Sequence, residues 1–102
     1  MKTSHFSRAA TVFVRNNGPA IFNDRFDGED FTIGPAQYLE MPPEAAKLCF
    51  GWGEEDKTRV LRRLGWAHTT ADLGDAYAKL GRFSFHATED EAKTRTPRVH
   101  QG

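Results

Sequence analysis

The sequence predicts a small α+β protein: an antiparallel β-hairpin and sheet packed on two or three short helices, with extended N- and C-terminal arms. Three observations lead there. Asp27-Gly28 sits between alternating stretches rich in phenylalanine, the strongest short-range hairpin signal in the chain. Downstream, segments with helical spacing are each closed by a glycine, at Gly51, Gly65 and Gly81. The two ends lose all apolar periodicity. The expected organisation is an arm over residues 1–9, a compact domain over 10–87 and an extended tail over 88–102.

Thr11–Arg15 is β-branched and aromatic, which predicts a strand, and Asn16-Asn17-Gly18-Pro19 predicts a turn. With Asp27-Gly28 as a two-residue loop, Phe26 faces Glu29, Arg25 faces Asp30, Asp24 faces Phe31 and Phe22 faces Ile33. Phe22, Phe26, Phe31 and Ile33 then share one face, while Arg25 meets Asp30 and Asn23 meets Thr32 on the other. Gly34-Pro35 breaks the strand, and Gln37–Met41 resumes it with Leu39 and Met41 pointing one way.

Pro42-Pro43-Glu44 starts a short helix that Gly51 ends. A second helix is expected over Glu54–Leu64, with Glu54, Glu55 and Asp56 in its first turn and Arg62 and Arg63 in its last, as the helix dipole favours. Val60, Leu61 and Leu64 form its inner stripe, packed with Trp66 against the hairpin. A third helix starts at Thr69 or Thr70 and buries Leu73, Ala76, Tyr77 and Leu80. Arg82–Ala87 alternates like a strand, with Phe83 and Phe85 on one side. From Thr88 no apolar period survives and Pro97 forbids a long helix, so that segment is expected to be a mobile tail.

Composition narrows the function classes. At 102 residues the chain makes one small domain at most. Lys and Arg number 14, as do Asp and Glu, so no basic excess supplies phosphate affinity, and nucleic acid is not the expected ligand class. No run reaches membrane-spanning length, and the N-terminus lacks the apolar stretch of a signal peptide. Cys49 is the sole cysteine, which excludes an intramolecular disulfide and a cysteine zinc set and predicts a small buried residue.

No constellation of side chains predicts catalysis, a metal or a cofactor. His5, His68, His86 and His100 are scattered without a helical pair. Asp24, Asp27, Glu29 and Asp30 crowd the hairpin, but aligning Gly28 with the glycine of a calcium loop puts Gly34 where a bidentate Glu is needed. An exposed acidic tip is the expected reading. Lys57, Arg59, Arg62 and Arg63 before Trp66 could face nucleic acid, yet three acids open the same expected helix and can pair with the arginines.

Phe26–Glu29, Gly34-Pro35, Met41–Ala46, Phe50-Gly51 and Leu64–Trp66 together carry a resemblance. Over Phe22–Ala67 the chain resembles small proteins encoded among the structural genes of tailed bacteriophages. The resemblance implies a virion protein, made in the host cytoplasm. The expected role is capsid decoration, many copies cementing the head through contacts with the major capsid protein or other virion subunits. A head–tail connector or tail accessory protein is the nearest variant. The reading from another class is a small cytoplasmic regulator that binds nucleic acid or a host protein through the Glu54–Leu64 segment. The residues expected to contact neighbours lie in the arms: Phe6, Arg8, Arg95, Arg98 and Val99.

Overall fold

The computed structural model describes residues 11–94. Its architecture is α+β: two small antiparallel sheets and four short helices. β1 (Val12–Asn16) is the central strand of the larger sheet, between β4 (Tyr38–Met41) and β5 (Phe83–His86). Both neighbours run antiparallel to it. Pairing of Val12 with Met41, Val14 with Leu39 and Phe85, and Asn16 with Phe83 puts these side chains on one face, because strand side chains alternate. That face is the floor of the core.

β2 (Phe22–Phe26) and β3 (Glu29–Ile33) form the separate hairpin, in the register expected from Asp27-Gly28. Asp27 and Gly28 have φ of 54° and 79°, the two positive values of a type I′ turn. Arg25 and Asp30 meet at 2.7 Å on the outer face, and the Thr32 hydroxyl donates to Asn23 Oδ1 at 2.7 Å. On the inner face the rings of Phe22, Phe50 and Phe83 form a triangle, with centroids 4.9 to 5.1 Å apart. Tilted and edge-on contacts of this kind add to what burial alone contributes.

Asn16 joins the two sheets. It is only 2% exposed, yet its amide donates to the carbonyls of Ala20 (2.8 Å) and Ile33 (2.9 Å) while its Oδ1 accepts from Gly18 N–H. A buried amide with these bonds made carries no desolvation penalty, and it fixes the crossing from β1 to the hairpin.

α1 (Pro43–Phe50) lies beneath the hairpin with Ala45, Ala46, Cys49 and Phe50 buried. Cys49 is buried as expected, and burial, with the nearby Asp24 charge, pushes its thiol up to about 11. α2 spans only Thr58–Arg63, shorter than the Glu54–Leu64 expected. Glu54, Glu55 and Asp56 therefore precede the helix instead of filling its first turn. Asp56 explains the late start: its Oδ1 accepts from both the N–H and the hydroxyl of Thr58, a local bond that competes with helical continuation. α2 ends in a Schellman motif, Gly65 N–H bonding to Arg62 O and Trp66 N–H to Leu61 O, with Gly65 at φ 79°.

A 3₁₀ turn over Thr70–Asp72 leads into α3 (Leu73–Leu80), and Thr69 and Asp72 make the reciprocal capping box. Ala76 and Leu80 face the core as expected, whereas Tyr77 is 38% exposed.

The expected tail from Thr88 begins differently. Glu89–Thr94 forms α4. It covers the outer face of the larger sheet, with Ala92 fully buried, Arg15 donating to the carbonyls of Ala92 and Lys93, and the Tyr38 hydroxyl donating to Glu89 at 2.7 Å. Six residues cannot hold a helix by propensity alone. Packing on β1 holds this one, and sequence periodicity had only Ala92 to signal it.

Candidate interaction surface

The expected contact residues Phe6 and Arg8, and Arg95, Arg98 and Val99, lie outside the described residues. Within residues 11–94, the sharpest departure from an ordinary surface is apolar. The exposed large apolar side chains are Ile21 before β2, at 62%, and Leu48, Trp52 and Tyr77, at 46%, 38% and 38%; Leu48 is in the last turn of α1 and Trp52 in the loop that joins α1 to α2. Trp52 follows the turn at Gly51, and its ring centroid lies 6.4 Å from Phe85. Tyr77 is brought to the loop from α3, its hydroxyl accepting from the Lys57 N–H at 2.9 Å. The Lys57 stem lies over Gly51, and its ammonium donates to the Glu54 carbonyl. Glu54 also faces Lys47 and Arg59, so the loop is tied to both helices. The result is a fixed, aromatic, partly solvent-facing surface.

Described residues line two clefts on the flanks of the fold. One, of about 270 Å³, lies between β3 and the β4–α1 corner, lined by Phe26, Phe31, Leu39, Met41, Pro42 and Ala45 under a rim of Glu29, Asp30 and Thr32. The other, of about 220 Å³, has Ile21, Phe22 and Trp66 beside Lys79 and Arg82. Lys79 stands 5.7 Å over the Trp66 ring, a cation–π distance. Both are smaller than the ~300–1,000 Å³ of sites that enclose small molecules.

The charged groups are more engaged than their sequence positions suggest. Asp24, expected on an exposed acidic tip, has a side chain only 10% exposed. It accepts from both terminal nitrogens of Arg63, at 3.0 and 2.8 Å, and Arg63 also reaches the Cys49 carbonyl. The hydrogen bond to Asp24 raises the Arg63 pKa. Alternation could have found this, since Asp24 sits between Phe22 and Phe26 on the inward face. Arg59 pairs with Glu54 and Arg63 with Asp24, so two of the suggested basic side chains of α2 are matched by carboxylates of the same chain, while Arg59, Arg62 and Arg63 all stay exposed.

One pair escaped sequence reading altogether. Ser84 Oγ and His86 Nε2 are 2.7 Å apart on the outer face of β5, and Asn17 also donates to Ser84. The i, i+2 spacing in a strand was the only available signal. Neither residue lines either cleft, and α4 lies over them. Among the described residues no group of three or more His, Cys, Asp or Glu side chains could hold a metal, and no helix is long and apolar enough to cross a membrane. No protein-family model matches the chain, and comparison with curated proteins and with solved structures gives no match either.

Proposed function

We propose that the protein is a small structural component of a tailed-phage virion, a capsid decoration protein that stabilises the head through protein–protein contacts. The head–tail connector or tail accessory role is the variant within the same class. The observation that carries this reading is the exposure of Leu48, Trp52 and Tyr77 at and beside the α1–α2 loop, to which the Tyr77 hydroxyl is hydrogen-bonded. Aromatic side chains fixed in this way supply contact area at little entropic cost, and Trp and Tyr are enriched where proteins meet. The motifs that carry the phage resemblance support it too: they supply the hairpin loop, the α1 start, the Gly51 end and the Gly65 end, and of these Gly51 leads directly into Trp52. The partners are the major capsid protein or other virion subunits, with Arg95, Arg98 and Val99 as further contacts from the tail.

Quantitative mass spectrometry of purified particles tests the reading. Copies in proportion to the head lattice support decoration, and a single ring's worth supports the connector variant. Absence from particles overturns both. Trp52→Ser should weaken loading by on the order of ten-fold or more if this residue anchors the contact.

A further inference from the structure

The cleft beside Trp66 joins open apolar surface to unmatched positive charge. Ile21, the most exposed large apolar side chain among the described residues at 62%, lines it together with Lys79 and Arg82. Arg25, Lys47, Arg59 and Arg63 each meet a carboxylate, whereas Lys79 and Arg82 meet none among the described residues. Lys79 instead stands over the Trp66 ring, at 5.7 Å. The Arg82 stem lies across Gly18, and its guanidinium makes no hydrogen bond among the described residues. Lys79 sits in the last turn of α3, where the helix dipole favours a cation, but the dipole amounts to about half a charge against two. The walls are fixed: Asn17 N–H donates to the Arg82 carbonyl at 2.8 Å, tying the β1–β2 connection to the entry of β5.

Charge complementarity selects the occupant. Two cations beside apolar surface call for carboxylates beside an apolar side chain. The rest of the sequence supplies none, since residues 1–10 and 95–102 contain no Asp or Glu. The acidic hairpin tip of a second copy, Asp27 to Asp30, is polar throughout and would leave Ile21 and Trp66 uncovered. Nucleic acid fits less well. Lys79 already takes one face of the indole and Phe22 packs against the ring at 6.2 Å, which falls short of the basic groove and open stacking rings that single strands need.

We infer that this cleft docks an acidic segment of a partner protein, an aliphatic or aromatic side chain resting on Ile21 and Trp66 and flanking Asp or Glu carboxylates reaching Lys79 and Arg82. The site shares no residue with Leu48, Trp52 or Tyr77, so it is a second interaction surface. It is tested on the isolated chain and stands or falls independently of whether the chain is found in particles.

Titration of the isotopically labelled full chain with the peptide acetyl-Glu-Asp-Leu-Phe-Asp-Glu-amide, followed by NMR at low salt, tests the inference. Saturable shifts are expected at the backbone amides of Gly18, Ile21, Arg82 and Phe83 and at the Trp66 indole N–H. The analogue with Gln and Asn in place of Glu and Asp should bind about ten-fold more weakly, the loss expected for two solvent-facing charge pairs. Lys79→Gln with Arg82→Gln should weaken the acidic peptide by the same factor; both positions are exposed, so the melting temperature should hold. Ile21→Ser should weaken both peptides. No saturable shift at the cleft overturns the inference, as does equal affinity for the two peptides or binding undiminished in the double variant. Shifts at these positions on concentrating the chain alone overturn it by making a second copy the occupant. Tighter binding of oligothymidylate at the same residues overturns it in favour of nucleic acid.

Discussion

His86 is the side chain through which this fold should respond to mild acid. It is 8% exposed on the outer face of β5, within 2.7 Å of Ser84 Oγ and close to α4. Burial is the main cause that lowers its pKa; the Glu91 carboxylate opposes the shift and Arg15 adds to it. The native state thus favours neutral imidazole, and the unfolded chain takes up the proton first. His86 therefore costs nothing above its unfolded pKa of about 6.5, and stability falls as pH drops from there towards the lowered native value. Thermal melts between pH 7.5 and 5.5 should show that loss, and His86→Asn should flatten the slope. Asp30, Asp56 and Asp72 have pKa values lowered chiefly by hydrogen bonds to Arg25, Thr58 and the His68 and Thr69 N–H groups. Their contributions are present above the ordinary carboxylate pKa of ~4 and are lost below it, a window separate from that of His86.

Two elements depend on opposite kinds of support. The hairpin turn is local: at Gly28, φ is 79°, and an added Cβ would meet nothing within 4 Å. Gly28→Val therefore isolates backbone strain, expected at about 1–2 kcal/mol for an L-residue in the left-handed region and more for a β-branched one. A chemical-denaturation midpoint unchanged by this substitution would contradict the type I′ turn. α4 is the reverse case, a six-residue helix whose stability comes from Ala92 packing and from Arg15 capping its last carbonyls. Truncation after Ala87 should lower the melting temperature measurably, because it uncovers Phe13, Tyr38 and His86 together. A melt identical to that of the full chain would show that α4 does not dock.

Across the whole molecule, stability converges on Phe50. It is fully buried at the end of α1 and touches Phe22 of the hairpin and Phe83 and Phe85 of the larger sheet. With Phe22 and Phe83 it closes the triangle that ties both sheets to α1. Phe50→Ala should cost about 3–5 kcal/mol, the range for an aromatic removed from a packed core. That is a large share of the total stability of a domain this size, so circular dichroism should report a largely unfolded chain at 37 °C. Phe50→Leu, which keeps most of the volume, should stay folded with a lower melting temperature.

The sequence by itself determined what short range decides. The hairpin register, the start of α1, the capping box at Thr69 and the glycine ends of α1 and α2 all follow from side chains within a few residues of one another. The same local logic misplaced the start of α2, because Asp56 offered Thr58 an equally local alternative. Only tertiary structure decided the rest. Strand order places β1 between two strands distant in sequence, and that alone creates the face on which α4 becomes a helix. Asp24 became a buried partner of Arg63 through a contact 39 residues apart. Tyr77 of α3 came to the α1–α2 loop through the Lys57 N–H, 20 residues away. The physical reason is common to all three: long-range contacts select among local conformations of nearly equal energy, and a sequence window does not contain both partners.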